Sequence, residues 1–498
     1  MLDAVLEAAS LVAQPETIFF VFLGIIVGQI LGVIPGLTAT MVMALIMPIT
    51  FAMPIWVGVP MLLGMLKGAL FGGSLAAIFI KTPGTPAAMA TILDGHPLAQ
   101  QGKGRKAAKL ALLSSTFGDV FGTLCLIFAT GFLATIALKL GPPELLLIAL
   151  SALIVLGTVS GKSPRLGLMS AGAGLLLASI GLDPVTGVSR LNFGITQLLS
   201  GIELIPMLIG LLTIPEIIRR MEQNQNNTSK TTVSFSEKPE DNKLHWWEIK
   251  KTIRTLFRSS AIGTAMGAIP GLGANIAAFI GYNQAATSSK HSQNFGKGEI
   301  EGVAATESAN SSEGGANMIP LLALGIPGDT AVAVVASAFL LHGITVGPTV
   351  FVEAPVEIYA IFIALFIAGI FNFIVGQGLI PIATKVLQIK QRLLFPSVFI
   401  MAVAGTFGMR ASLFDVGIMM LFGFIGYVMV KLDIPLIPLL IAFLIGPMVE
   451  KNLQRTSILI DANDSFLFLF QRPAFLILLV VFILMSYLVI RFQRKVST

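Results

Sequence analysis

The segment Gly32-Val33-Ile34-Pro35-Gly36-Leu37 recurs as Gly267-Ala268-Ile269-Pro270-Gly271-Leu272, each time ending a helix-length segment. A second motif follows in each half, Lys81-Thr82-Pro83-Gly84-Thr85-Pro86 first and Gly325-Ile326-Pro327-Gly328-Asp329-Thr330 later. Proline removes a backbone donor and clashes with the preceding helical turn. Within a bilayer, an interrupted helix is tolerated only where its freed backbone groups are buried in protein or line a polar cavity. A lone Pro-Gly would merely kink a packed helix. Two different breaks, each duplicated, fit a transporter whose binding site lies between paired broken helices.

The membrane setting follows from composition. Of 498 residues, 55% are hydrophobic and 12% charged, about half the charged share of a soluble domain. The formal charge of +6 sits in short loops between apolar runs, which fits cytoplasmic loops and gives no nucleic-acid surface. Cys125 is the single cysteine, so no intrachain disulfide exists. Met1 to Gln14 holds no Lys or Arg and so lacks the basic start of a signal peptide.

The fold class expected is an all-α polytopic membrane protein. It is built of two inverted repeats, with Pro-Gly-broken helices or re-entrant hairpins, plus one extra C-terminal transmembrane helix. Residues 1–218 form the first repeat, 219–245 a polar cytoplasmic linker and 246–450 the second repeat. Residues 451–498 carry an outer loop, the last span and a basic tail. Four apolar segments follow the breaks in the first half, near 107–138, 143–158, 164–180 and 195–218. Segments near 355–386, 393–408, 412–431 and 435–448 mirror them. Inversion is read from charge. The loop 99–109 carries Lys103, Arg105, Lys106 and Lys109, whereas its mate 343–354 carries only Glu353. Basic loops stay inside, so matching loops lie on opposite faces. Trp246 and Trp247, ahead of Lys250, Lys251, Arg254 and Arg258, mark an interfacial helix start.

Enzyme chemistry finds no foothold. Gly157 to Ser163 is one residue short of a phosphate-binding loop. His96, His245, His291 and His342 lack metal-ligand spacing. The breaks carry the chemical signal. Half-helix N-termini present free N–H groups and a positive dipole end, both attractive to carboxylates. The candidate substrate residues are therefore Pro35, Gly36, Leu37 and Thr38; Thr82, Pro83, Gly84 and Thr85; Pro270, Gly271, Gly273 and Asn275; and Pro327, Gly328, Asp329 and Thr330. Oxygen-bearing Thr40, Asn275, Asn317 and Asp329 form a candidate Na+ site beside unwound carbonyls.

Ionisable residues inside apolar runs are functional candidates by default. Lys67 has no carboxylate near it in sequence and reads either as a substrate partner or as a snorkelling side chain. Glu307, Asn310 and Asn317 share a helical face, which either lines a polar path, with Asn310 on the substrate, or edges a solvated loop. Asp119, Glu144 and Glu203 read as buried partners for backbone donors. Gly64, Gly68 and Gly72, four apart, read as packing glycines.

With these residues in view, the chain resembles the large membrane subunit of the tripartite tricarboxylate transporter family, the TctA type. The matching motifs include both break pairs, Gly72-Gly73-Ser74, Leu93-Asp94-Gly95, Gly141-Pro142-Pro143-Glu144, Ile300-Glu301-Gly302-Val303-Ala304, Gly314-Gly315 and Leu341-His342-Gly343. The resemblance spans about residues 20 to 450. It implies secondary active import of organic acids driven by Na+ or H+ in the bacterial inner membrane. It also implies a small membrane subunit and a periplasmic solute-binding protein as partners. The sequence departs from the family pattern at Lys67, Lys81, Ser311 and Asp329, which bears on tricarboxylate specificity and on the coupling ion. A channel for small anions, without alternating access, is the other reading, and a membrane-embedded enzyme lacks a catalytic constellation.

Overall fold

The computed structural model describes residues 2–159, 163–183, 186–223, 236, 238–387, 391–463 and 465–496. Much of the linker's polar stretch and the centre of the short Gly157–Ser163 motif lie outside these residues. Among the described residues, six helices are long and apolar enough to cross a membrane, and shorter apolar helices surround them. The one sheet described is a two-stranded ribbon, Gly181–Leu182 with Ser189–Arg190. It lies in the connection that leads to Leu204–Gln223, so that helix begins later than the apolar run near 195 suggests. A further helix, Leu2–Val12, precedes the first apolar run, where the sequence offered only an acidic, unassigned start.

Glycine sets how the central helices meet. A Cβ on Gly24, Gly28 or Gly32 would fall within 2.2–2.5 Å of the carbonyl oxygens of Met61, Met65 and Ala69 in turn. The two series rise together, so Pro15–Val33 and Ile55–Ile80 run parallel at backbone contact. Gly68 and Gly72 close the same seam from the other side, against Ile25 and Gln29. Small residues allow this approach, and in lipid such packing substitutes for a hydrophobic drive. Ala39–Thr50 is the returning arm that lets the chain start Ile55–Ile80 again from the same side.

The second half repeats the device. Gly263 and Gly267 of Trp246–Gly267 meet the carbonyls of Ala309 and Glu313, and Gly118 and Gly122 of Gly104–Ala137 meet those of Ser308 and Ser312. Ile300–Ala316 is thus clamped between two helices that run parallel to it. Against Ile55–Ile80 it runs the other way: Leu70 lies by Gly314, and Ser74 bonds Glu307. The helix pair of the first half is therefore antiparallel to that of the second. Ile300–Ala316 is buried almost throughout, which removes the solvated-loop reading of its polar face.

The second break of each half has one local design. Ile55–Ile80 ends on Lys81 and Met318–Leu324 on Gly325, both left-handed, at φ 55° and 77°. Glycine takes that conformation freely and lysine does not. Beyond the cap, Gly84 donates its N–H to Gly73 O at 3.2 Å, and Gly328 sits in the same register against Asn317.

The half-helices differ in what covers them. Ala39–Thr50 is packed by Ile55–Ile80, Leu204–Gln223, Gln391–Arg410 and Thr330–Leu341, while Gly273–Ser288 packs on Ile300–Ala316 and Trp246–Gly267 and meets the short turn Pro86–Met89. Gly36, Leu37, Pro327 and Gly328 are buried, whereas Lys81, Pro86, Met89 and Asn275 are exposed. The loop bearing Lys103 to Lys109 and the end of the linker share one side: Ser236 N–H donates to Gly102 O, and Lys109 to Asn242 O. The last helix, Pro473–Val496, packs on Pro142–Val159.

Candidate functional site

At the first break, Pro35 ends the helix and Gly36 turns the chain at φ 98°. Thr38 caps the following half-helix, its Oγ1 accepting from Met41 N–H at 3.2 Å. The turn is tight on its outer side as well, since a Cβ on Gly36 would stand 2.6 Å from Arg220 Nε. Arg219 and Arg220 share one carboxylate, Glu216, with contacts of 2.8 Å each. Two guanidinium groups and one carboxylate leave a net positive charge beside the N-terminus of Ala39–Thr50. By sequence both arginines fall at the start of the polar linker, 219–245, whereas the structure keeps them on the helix Leu204–Gln223.

At the second break, Gly84 lies against the carbonyl of Gly32, so the two breaks of the first half touch. Thr82 donates to Ile80 O at 3.3 Å, and Pro83 is half-buried. Thr85 is buried, and its hydroxyl has no hydrogen-bond partner among the described residues. In the second half, Gly271 N–H donates to Gly328 O at 2.8 Å, which joins Pro270-Gly271 to Pro327-Gly328. Asp329 caps Thr330–Leu341 by accepting from Val332 N–H at 2.8 Å, and its other oxygen accepts from Asn317 Nδ2 at 3.0 Å. The halves meet where Thr40 and Thr330 place their hydroxyls 3.3 Å apart.

Of the candidate cation residues, Thr40, Asn317 and Asp329 lie on this linked set of contacts. Asn275 does not join them: it is exposed on the first turn of Gly273–Ser288, beyond Gly271 and the open, positive-φ Gly273. That half-helix packs on Ile300–Ala316 and Trp246–Gly267 and also meets Pro86–Met89.

Lys67 is neither a lone cation nor a snorkelling one. Its ammonium lies 2.9 Å from Asp119 Oδ1 and 3.3 Å from Thr123 Oγ1, and the residue is 5% exposed. The carboxylate missing from its sequence neighbourhood comes from Gly104–Ala137. Glu144 and Glu203 also bind cations rather than serving backbone donors alone: Arg472 grips Glu144 at 2.6 and 2.9 Å, and Arg410 pairs with Glu203. Glu307 is fully buried and accepts hydroxyls from Ser74, at 2.8 Å, and Thr91. Asn310, 1% exposed, has neither end of its amide partnered among the described residues. Buried polar groups are nearly always hydrogen-bonded, so such an amide asks for a bound species. The stretch from Glu307 to Asn317 is therefore a polar spine inside the helical core.

Comparison with known proteins fits this architecture. Residues 18–441 match the family model described as the tripartite tricarboxylate transporter TctA family. An uncharacterized 52.8 kDa protein of Agrobacterium vitis, from the TAR-I ttuC′ 3′ region, is 33% identical over 458 residues, covering 91% of this chain and 89% of its own. An uncharacterized protein from the TAR-II ttuC′ 3′ region of the same organism is 37% identical over 206 residues, covering 41% of this chain and 85% of its own. No solved structure matches the chain. With broken apolar helices throughout and a family match over most of its length, the chain belongs to the TctA family, the multi-pass membrane components of tripartite tricarboxylate transporters.

Proposed function

We propose that this chain is the large membrane subunit of a secondary active importer of organic acids in the bacterial inner membrane. It works with a small membrane subunit and a periplasmic solute-binding protein, and a Na+ or H+ gradient drives it. The observation that carries the reading is the charge at the first break. A half-helix N-terminus, with capping Thr38, stands beside Arg219 and Arg220, which share Glu216 as their one ion-pair partner among the described residues. Such a tip favours a carboxylate through free N–H groups, dipole and guanidinium together. The substrate carboxylates lie among the tips formed by Pro35, Gly36 and Leu37; Thr82 to Thr85; Pro270, Gly271 and Gly273; and Pro327 to Thr330. Asn310 lies on the buried spine between the halves.

The halves act as inverted repeats. The antiparallel run of their helix pairs supports this, as do the matched caps at Lys81 and Gly325. Unequal cover supports alternating access. The tips at Pro35-Gly36 and Pro327-Gly328 are closed over, while the half-helix at Asn275 and the turn at Pro86 are open. Exchange of these environments between the repeats would carry the substrate across.

The test is uptake of radiolabelled di- and tricarboxylates by proteoliposomes holding both membrane subunits, with binding protein outside. Concentrative, saturable uptake that collapses with the ion gradient is expected. Non-saturating flux that only equalises concentrations would replace the carrier by a channel.

A further inference from the structure

We infer that the chain holds a binding site for an anionic phospholipid where its two halves and the linker meet. The inference goes beyond transport and rests on the membrane setting alone. A cavity of about 290 Å³ lies at this junction. Lys109 and Leu113 line it from Gly104–Ala137 of the first half, and Phe373 from Pro355–Leu379 of the second. Lys243 and Leu244, at the end of the linker, complete it. Both helices belong to runs apolar enough to cross a membrane, and the cavity sits near their ends on the side of the basic loop.

Charge identifies the headgroup. Lys109 Nζ donates to Asn242 O at 3.0 Å, which uses one of the three donors of an ammonium. Lys243 is exposed. Among the described residues, neither lysine forms an ion pair. Of the neighbouring carboxylates, Glu248 is taken by Lys106 at 2.9 Å and by His245 N–H at 2.8 Å. Asp241 accepts from the Ser236 hydroxyl at 2.7 Å, and Glu240 is exposed to solvent. Two ammonium groups on one cavity, without a carboxylate of their own, attract a phosphate.

The apolar side of the cavity makes that phosphate part of a lipid. Leu113, Leu244 and Phe373 pack on one buried cluster. Earlier on the helix of Phe373, the exposed Phe366, Ile370 and Ile374 follow one another at a spacing of four. They share a face, which offers an acyl chain a track leading away from the lysines. Trp246 and Trp247 come directly after His245 and are 69% and 62% exposed. Exposed tryptophans sit at the headgroup level of a bilayer, so the lysine pair stands beside phosphate. Basic pockets between membrane helices take anionic headgroups in this way. Free phosphate would satisfy the lysines and leave the track unused. A lipid seated here ties the end of the linker to both halves.

The test uses the full chain purified in detergent and stripped of lipid. Phosphatidylglycerol, phosphatidylcholine and glycerol phosphate are titrated separately while the unfolding temperature is followed. Both lipids are also added with brominated acyl chains, which quench nearby tryptophan; Trp246 and Trp247 are two of the three in the chain. Phosphatidylglycerol is expected to bind on the order of tenfold more tightly than phosphatidylcholine and to raise the unfolding temperature, where glycerol phosphate does not. Lys109→Gln with Lys243→Gln is expected to remove the preference, and Lys290→Gln, at an exposed lysine outside the cavity, to keep it. Lys109 also holds Asn242, so Lys243→Gln alone preserves the test if the double variant fails to fold, with a loss of about fivefold. Equal binding of the two lipids overturns the site. So does a preference that survives at full strength in the lysine variants. A response to glycerol phosphate equal to that of phosphatidylglycerol overturns the lipid and leaves a free phosphate as the ligand.

Discussion

Thr40 and Thr330 lie 290 residues apart in the chain and meet hydroxyl to hydroxyl at 3.3 Å. Each stands in the first turn of a half-helix that follows a Pro-Gly break, one from each half. The contact ties the first break of one half to the second break of the other. If the two tips separate during transport, fixing them together stops the cycle. Thr40→Cys with Thr330→Cys, in a Cys125→Ser background, should cross-link under oxidant and lose uptake. Reductant should restore it. Full uptake by the oxidised, cross-linked protein would show that these tips move as one body.

Lys67 and Asp119 make a different kind of claim. Both are almost fully buried, and their charges are 2.9 Å apart. Removing one partner of such a pair leaves an uncompensated charge and costs about 3–5 kcal/mol, whereas replacing both by apolar residues is often neutral. Lys67→Met should therefore lower thermal stability strongly, and Lys67→Met with Asp119→Leu should recover most of it. Uptake kinetics of the double variant then separate structure from binding. A near-normal KM assigns Lys67 to scaffolding, and a large rise in KM with restored stability returns it to the substrate.

Much of this arrangement was legible because its causes are local. The Pro-Gly breaks announce themselves, and apolar runs give helices wherever their length is sufficient. The run at 195 failed as a helix start because a two-stranded ribbon and Gly201, at φ 84°, occupy the approach to Leu204. Long-range pairings were not legible. Nothing near Lys67 points to Asp119, and nothing near Pro35 points to Arg220, since both partners arrive from helices placed by tertiary packing. The polar stretch after Glu299 was ambiguous for the same reason. Its composition suits a loop, and only glycine seams on two neighbouring helices convert it into a buried core helix.

Topology can be checked at positions the structure leaves accessible. Gly104 and Gly347 look suitable by sequence alone, but both are buried, and Gly347 has φ 137°. Arg105 and Thr349 are exposed. Arg105→Cys and Thr349→Cys, each in the Cys125→Ser background, should react with impermeant maleimide from opposite sides, Arg105→Cys from the cytoplasm and Thr349→Cys from the periplasm. Labelling of both from one side would end the inverted arrangement.

The breaks themselves give the sharpest comparison. Valine at position 36 fails twice: a β-branched residue does not accept φ 98°, and its Cβ would run into the Arg220 side chain. At position 271, with φ 89°, it would meet Leu156. Both residues shape a tip and lie outside the central glycine seam, so the damage should fall on binding more than on assembly. Gly36→Val and Gly271→Val should each abolish binding of a labelled tricarboxylate by the purified chain. Unfolding temperatures should fall by only a few degrees, as expected for roughly 1–2 kcal/mol of local strain in a protein of this size. Gly68→Val is the counterpart in the seam, where a Cβ would lie 2.5 Å from Ile25 O. There the backbone of a neighbouring helix must move, so expression and stability should fail before binding can be asked about. Gly64→Val, at 3.1 Å from Val21 O, should sit between them, less stable yet still binding. Tip variants that bind with native affinity, or that unfold as readily as Gly68→Val, would remove the tips from the substrate site.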